Sequence, residues 1–157
     1  MATKAESPAK REEAASRLVG KLMNIGALIE RESNRLLSPH GLNHQQFSVL
    51  FEIFHAGRVQ QKDVTNRLLL ERAHVSKVVK KLVDMSLIEV APHPEDRRSA
   101  WLSVSAKGLS LVQACRSVFA TRKRAWFRAF DTPQLQELVG GIAAIQAALV
   151  ENMEDPS

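Results

Sequence analysis

The stretch that decides the fold is QKDVTNRLLLERAHVSKVVKKLVDMSLI, residues 61–88. It predicts a short helix from about Gln61 to Leu69, a tight turn near Leu70-Glu71, and a longer helix from about Arg72 to Met85. On the second helix Val75, Val78, Val79 and Leu82 fall at i, i+3, i+4 and i+7, the spacing of one buried stripe. Stepping 100° per residue places Ala73, Lys77 and Lys80 on the opposite face, flanked by His74, Ser76 and Lys81. From Arg72 to Val83 there is no acidic residue. A solvated helix ordinarily mixes signs, with Glu and Lys at i, i+4. An outer face of one sign gains nothing from internal pairing and calls for a polyanion. Ala73 and Ser76 are small, so the backbone near the helix start can approach a groove closely. These are the features expected of a recognition helix, whose first residues reach base edges while its lysines neutralise phosphates.

The segment that follows, APHPEDRRSAWLSVS at residues 91–105, predicts a β-hairpin. Leu87–Val90 and Trp101–Val104 have β-branched and aromatic residues with partial alternation. Pro92 and Pro94 have no N–H to give to a ladder, so the pairing is expected to open into a loop across these two prolines. Arg97 and Arg98 then project from a solvated turn. By itself that is an ordinary loop. Directly after a basic helix it suggests a wing, with arginine entering the narrow minor groove where negative potential is concentrated.

With both pieces in place, the run DVTNRLLLERAHVSKVVKKLVDMSLIEVAPHPEDRRSAWLSVSAKG resembles the winged helix-turn-helix core of the multiple-antibiotic-resistance regulator (MarR) family. The resemblance is carried by V-S-K-V-V-K-K-L on the recognition helix, by D-x-R at Asp96 and Arg98, and by S-x-x-G at Ser105 to Gly108. It implies that Arg98 is the wing-tip arginine and that Asp96 holds a nearby arginine in place. Arg72, Ala73, His74, Ser76, Lys77, Lys80, Lys81, Asp96, Arg97 and Arg98 are thus the expected DNA-binding residues. Two positions depart from the family pattern: Thr65 stands for the usual alanine and Ser86 for the usual glycine. Both are small, and slight changes in packing are expected.

Outward from this core, Leu18, Leu22, Ile25, Ile29 and Leu36 have helical spacing between Arg11 and Leu37. Ser38-Pro39-His40-Gly41 ends that helix. Asn43 can cap the next, with Phe47, Leu50, Phe51 and Phe54 as its apolar positions, ending at Gly57. Ala106 to Phe130 reads as one long helix, and Asp131-Thr132-Pro133 restarts a last one to about Asn152. The expected fold is therefore mainly α with a small β-hairpin wing. Residues 1–10 form a disordered tail and 11–157 a single domain. Within it, 43–105 are the winged helix-turn-helix core, and 11–37 and 106–152 are N- and C-terminal dimerisation helices. The final helix has a broad apolar face (Leu135, Leu138, Val139, Ile142, Ile145, Leu149, Val150) with little left in its own chain to cover it.

Family resemblance further implies a homodimer on a pseudo-palindromic operator, acting as a repressor released by a small aromatic or acidic effector. The expected effector lining comes from the first two helices and the start of the fifth. Leu22, Phe47, Phe51 and Leu111 would be its apolar members, and Arg17, His44 and Arg116 its polar ones. Such a wall suits a planar carboxylate, or a larger coenzyme A thioester whose phosphates would need Arg122, Lys123 and Arg124. Those three belong to a run of eight basic residues and no acidic one from Arg97 to Phe130. Any one of the three reads as a solvated turn of helix. Together with Arg116 and Arg128 the run suggests an acidic effector or an acidic surface on a partner subunit, and DNA stays open as well. Phe47 and Phe51 taken singly read as plain core.

Composition excludes several classes. A 157-residue chain with 45% hydrophobic content can bury a core. No apolar run approaches the roughly 20 residues of a membrane span, and the polar start has no signal core, so a cytoplasmic location is expected. The single cysteine, Cys115, excludes an internal disulfide and reads as a packed thiol. The five histidines lack metal spacing, and neither a metal nor a cofactor is expected. The absence of a nucleophile elbow, a phosphate loop or a carboxylate pair argues against an enzyme. The net charge of +5 suits an anionic partner such as double-stranded DNA. Two alternatives stay open: a non-specific architectural DNA-binding protein, and a small enzyme with an unrecognised site.

Overall fold

A computed structural model describes residues 7–94 and 99–154. It is mostly helical, with one small antiparallel sheet. In chain order the elements are α1 (Pro8–Leu37), a 3-10 turn (Ser38–His40), α2 (His44–Ala56), β1 (Arg58–Gln60) and α3 (Gln61–Leu68). They are followed by α4 (Arg72–Asp84), β2 (Ile88–Pro92), β3 (Ala100–Val104), α5 (Ala106–Trp126) and α6 (Thr132–Glu154). The chain divides into two compact units, one ending at Ser117 and one starting at Val118.

In the first unit local chemistry sets the element boundaries. Asn43 Oδ1 accepts from the Gln46 N–H at 2.8 Å, and Gln46 Oε1 accepts from the Asn43 N–H at 3.1 Å, a reciprocal cap that starts α2. The Asn34 side chain accepts from the His44 N–H at 2.7 Å and ties α1 to that start. Gly41 and Gly57, at φ of 73° and 74°, make the turns on either side of α2. Ser86 is also left-handed, at φ 60°, so the departure from the family's glycine falls on backbone strain rather than packing.

The sheet has the order β1-β3-β2, all antiparallel. The pairing of β2 with β3 continues through Pro92, opposite Ala100, and His93 N–H donates to the Ser99 carbonyl at 3.2 Å. The sequence expectation that the ladder would open across Pro92 and Pro94 is corrected at Pro92. Here β2 is an edge strand, where proline's missing N–H can face outward. Strand β1 was not foreseen, since three residues with one valine carry no legible alternation.

The core comprises Leu37, Leu42, Val49, Leu50, Ile53, Val59, Val64, Val75, Val78, Val79, Leu82, Leu87, Ile88, Leu102, Val112 and Cys115. The α4 stripe is buried in full, as its spacing requires. On α2 the buried residues are Val49, Leu50 and Ile53, while Phe47 and Phe54 are half-buried and Phe51 is exposed. Of the expected α1 stripe, Leu18, Ile25 and Ile29 are exposed and Leu22 and Leu36 half-buried, and within α1 only Ser33 and Leu37 are buried.

In the second unit, α5 stops at Trp126 rather than Phe130. Asp131 and Gln134 form a reciprocal cap, each N–H donating to the other's side-chain oxygen at 2.9 Å. That cap fixes a new helix direction at residue 131, and Phe127 and Phe130 pack edge-on across the turn. On α6, Leu138, Val139, Ile142 and Leu149 are exposed. Among the described residues no helix is long and apolar enough to cross a membrane.

Candidate nucleic-acid interface

With its valine stripe sealed in the core, α4 has one remaining face, which from Arg72 to Lys81 carries only positive charge before Asp84 closes the helix. Arg72, Ala73, Ser76, Lys77, Lys80 and Lys81 are all exposed. Among the described residues none of the four cations has a carboxylate partner. Helix α3 lies against α4 and is pinned to α2 by an ion pair of Arg67 with Glu52 at 2.9 Å. Its first residue reaches the outer face of α4: Gln61 Nε2 donates to Ser76 Oγ at 2.6 Å. Oγ therefore accepts from within the protein, and its own hydrogen is left to donate outward. Nothing local in the sequence marks Gln61 as part of the interface, because the two residues are fifteen positions apart.

His74 differs from its neighbours. It is half-buried, and its Nε2 is enclosed without a hydrogen-bond partner, as is Gln60 Oε1. A cleft of about 280 Å³ separates α3 and α4 from the sheet, lined by Gln60, Gln61, Lys62, Arg72, Val79, Val90, Ser99, Ala100 and Leu102. The helix pair and the hairpin thus flank a common depression with Lys62 and Arg72 on its wall. Asp96, Arg97 and Arg98 lie outside the described residues.

The joint between hairpin and α5 is closely tied. Ser105 Oγ donates to the Ser86 carbonyl at 2.8 Å and accepts from the Gly108 N–H at 3.0 Å. Ser105 N–H donates to the Leu87 carbonyl at 3.1 Å, and Lys107 Nζ donates to the Met85 carbonyl at 2.8 Å, capping the end of α4. Gly108 is buried against Leu87, where no side chain fits. These contacts give the S-x-x-G motif its physical content.

The expected effector residues do not all fall in one place. Phe47 and Phe51 stack at 5.8 Å between ring centroids, Phe51 and Phe54 follow at 5.9 Å, and the Arg116 guanidinium lies 5.7 Å from the centroid of Phe54. His44 is half-buried at the start of the same helix. Leu111 instead lines an open recess of about 380 Å³ with His40, Met85, Leu87, Lys107, Ser110 and Ala114. On α1, Arg17 is exposed and Leu22 half-buried. Arg122 is half-buried, while Lys123 and Arg124 are exposed. Cys115 is buried, and loss of solvent pushes its thiol pKa up, the reverse of what a thiolate sensor needs.

Comparison with known proteins agrees with this geometry. The MarR family model matches residues 42–100. The HTH-type transcriptional regulator MhqR of Bacillus subtilis is 30% identical over 84 residues, which cover 54% of this chain and 58% of that protein. The multiple antibiotic resistance protein MarR of Salmonella typhimurium is 25% identical over 107 residues, 64% of this chain and 74% of that one. Among solved structures, a MarR mutant from E. coli complexed with operator DNA superposes with a TM-score of 0.75 at 17% identity, covering 89% of this chain and 99% of that chain. Staphylococcus aureus MarR in complex with salicylate and kanamycin gives 0.79 at 21% identity, covering 91% and 97%.

Proposed function

We propose that this chain is a MarR-type, sequence-specific, DNA-binding transcription regulator acting in the cytoplasm as a dimeric repressor, a reading supported by the family model that matches residues 42–100. The observation that carries this reading is the exposed face of α4, opposite a fully buried stripe, with four cations that have no carboxylate partner among the described residues. Placed in a major groove, Ala73, Ser76 and Lys77 reach base edges while Arg72, Lys80 and Lys81 meet phosphates. The resemblance assigns Arg97 and Arg98 to the adjacent minor groove, with Asp96 holding a nearby arginine in place. The E. coli structure of the same fold is a complex with operator DNA.

The exposed apolar residues of α1 and α6 support a dimer, since a second copy would remove them from water. A two-fold dimer presents two α4 helices to half-sites about one helical turn apart, hence a pseudo-palindromic operator. For the effector, the stacked Phe47, Phe51 and Phe54 with Arg116 beside them suit a planar aromatic acid. Salicylate in the S. aureus structure belongs to that class. A coenzyme A thioester is the larger candidate, with Arg122, Lys123 and Arg124 for its phosphates. Release requires tighter effector binding to the non-operator spacing, because equal affinity for both states shifts nothing.

The deciding experiment is an anisotropy titration against the promoter of the chain's own operon and against random duplex, at several salt concentrations. A clear preference with a steep salt dependence is expected. Equal affinity for both duplexes would replace the regulator by an architectural DNA-binding protein. Thermal-shift measurements with aromatic carboxylates and their coenzyme A thioesters, repeated on Arg17→Ala and Arg116→Ala, test the effector. Stabilisation that survives both substitutions would show that other cations hold it.

A further inference from the structure

The root of the wing carries a stack that DNA contact alone does not explain. Strand β3 is central in the sheet, and the register sets Trp101 opposite Gln60 on β1 and Ala91 on β2. Side chains alternate between faces. Arg58, Gln60, Glu89, Ala91, Trp101 and Ser103 therefore share the face opposite Val59, Ile88 and Leu102, which are buried. Across this outer face the Arg58 guanidinium lies 5.1 Å from the Trp101 ring centroid. The imidazole of His93, one residue beyond β2, stacks on the same indole at 5.0 Å and 23° between planes.

The position matters. Gln60–Trp101 is the last pairing that β1 makes, and beyond it Pro92 and Ala100 pair with no third strand alongside. The sheet becomes a two-stranded ribbon at Trp101. Isolated ribbons of that kind are marginal in water and twist strongly, so the end of the β2–β3 pair at Pro92 and Ala100 needs a further tie to hold one orientation. A cation from β1 and an imidazole from the end of β2, both on the β3 indole, tie the three strands together where the third one stops.

We infer that Trp101 is a positioning residue for DNA binding: held by Arg58 and His93, it fixes the end of the β2–β3 ribbon from which the wing meets DNA. The inference rests on the proposed role of Arg98, and the test separates the two. Operator affinity is measured by anisotropy, and contacts by hydroxyl-radical footprinting, for the full chain and for Trp101→Leu, Trp101→Phe, Arg98→Ala and Trp101→Leu/Arg98→Ala.

Trp101→Leu should bind about three- to tenfold more weakly, the scale of one lost cation–π and stacking contact. It should lose the flanking minor-groove protection and keep the central major-groove protection. Trp101→Phe retains an aromatic face and should stay within about twofold of the parent. In the Arg98→Ala background Trp101→Leu should add nothing, because the contact it positions is already gone. His93→Ala, which leaves the half-buried indole in place, should act in the same direction with unchanged thermal unfolding.

A general loss of folding would instead weaken all protections together and persist in the double variant, and that pattern overturns the inference. So does parent-like binding by Trp101→Leu while Arg98→Ala is impaired. If Arg98→Ala itself binds normally, the proposed wing contact fails and the inference falls with it, a result distinct from failure at Trp101 alone.

Discussion

Replacing Gly108 by alanine tests the joint between wing and α5 with a single methyl group. A Cβ built there overlaps the Leu87 carbonyl oxygen and comes within 2.8 Å of Val104 Cγ1 and 3.0 Å of the Leu87 carbonyl carbon. The obstacle is backbone, so no rotamer change relieves it. The Leu87 carbonyl is itself held, accepting from the Ser105 N–H at 3.1 Å. Helix propensity favours alanine by about 1 kcal/mol. Against that, overpacking a close contact costs about 3 kcal/mol at its upper range. Moving α5 away to relieve it loosens two bonds, Gly108 N–H to Ser105 Oγ and Ser105 N–H to Leu87 O, at roughly 1 kcal/mol each. The expected outcome is a net loss of about 4 kcal/mol, a large share of the roughly 5–15 kcal/mol that holds a typical domain together. Urea unfolding followed by far-UV circular dichroism measures it, with Ser105→Ala as a graded companion at about 1–2 kcal/mol. If Gly108→Ala unfolded within about 0.5 kcal/mol of the parent, near the scatter of neutral surface changes, α5 would be free to slide over Leu87 and the joint would not be rigid.

Other outcomes follow from single observations. Ser86→Gly should stabilise the chain by about 0.5–1 kcal/mol in the same assay, since relief of a left-handed side chain exceeds the added freedom of the unfolded glycine; a loss of stability would contradict the strain at φ 60°. Gln61→Glu keeps the length of residue 61 but turns its donor into an acceptor, so the Ser76 hydrogen is drawn inward. Base preference at the step read by Ser76 should change in a randomised-site selection, and an unaltered consensus would remove Gln61 from the interface. Burial raises the Cys115 thiol above its ordinary value of 9.0, so the unfolded chain ionises first as pH rises. The stability it contributes is full below that value and is lost as pH climbs through the folded pKa. Unfolding free energies of the parent and Cys115→Ala, compared from pH 7 to 10, should show the parent falling more steeply, and parallel curves would mean that the thiol is solvated.

The sequence by itself determined the features that depend on neighbours a few positions apart. Val75, Val78, Val79 and Leu82 had to be buried together because the helical period puts them on one line, and the same period left Lys77 and Lys80 outside. Asn43 and Asp131 announced helix starts because a cap is a bond over three residues. Other features waited for tertiary structure. Helix α2 is apolar on two adjacent lines, Val49-Leu50-Ile53 and Phe47-Phe51-Phe54, and its period cannot choose between them. The branched line was buried in full, while Phe47 and Phe54 were only half-buried and Phe51 left exposed, because of what packs against α2. Strand β1 exists because β3 offers it an edge, the Gln61–Ser76 bond because α3 lies on α4, and the Arg58–Trp101–His93 stack because of the strand register. Each joins residues far apart in sequence, and such contacts form only once packing has closed the chain between them.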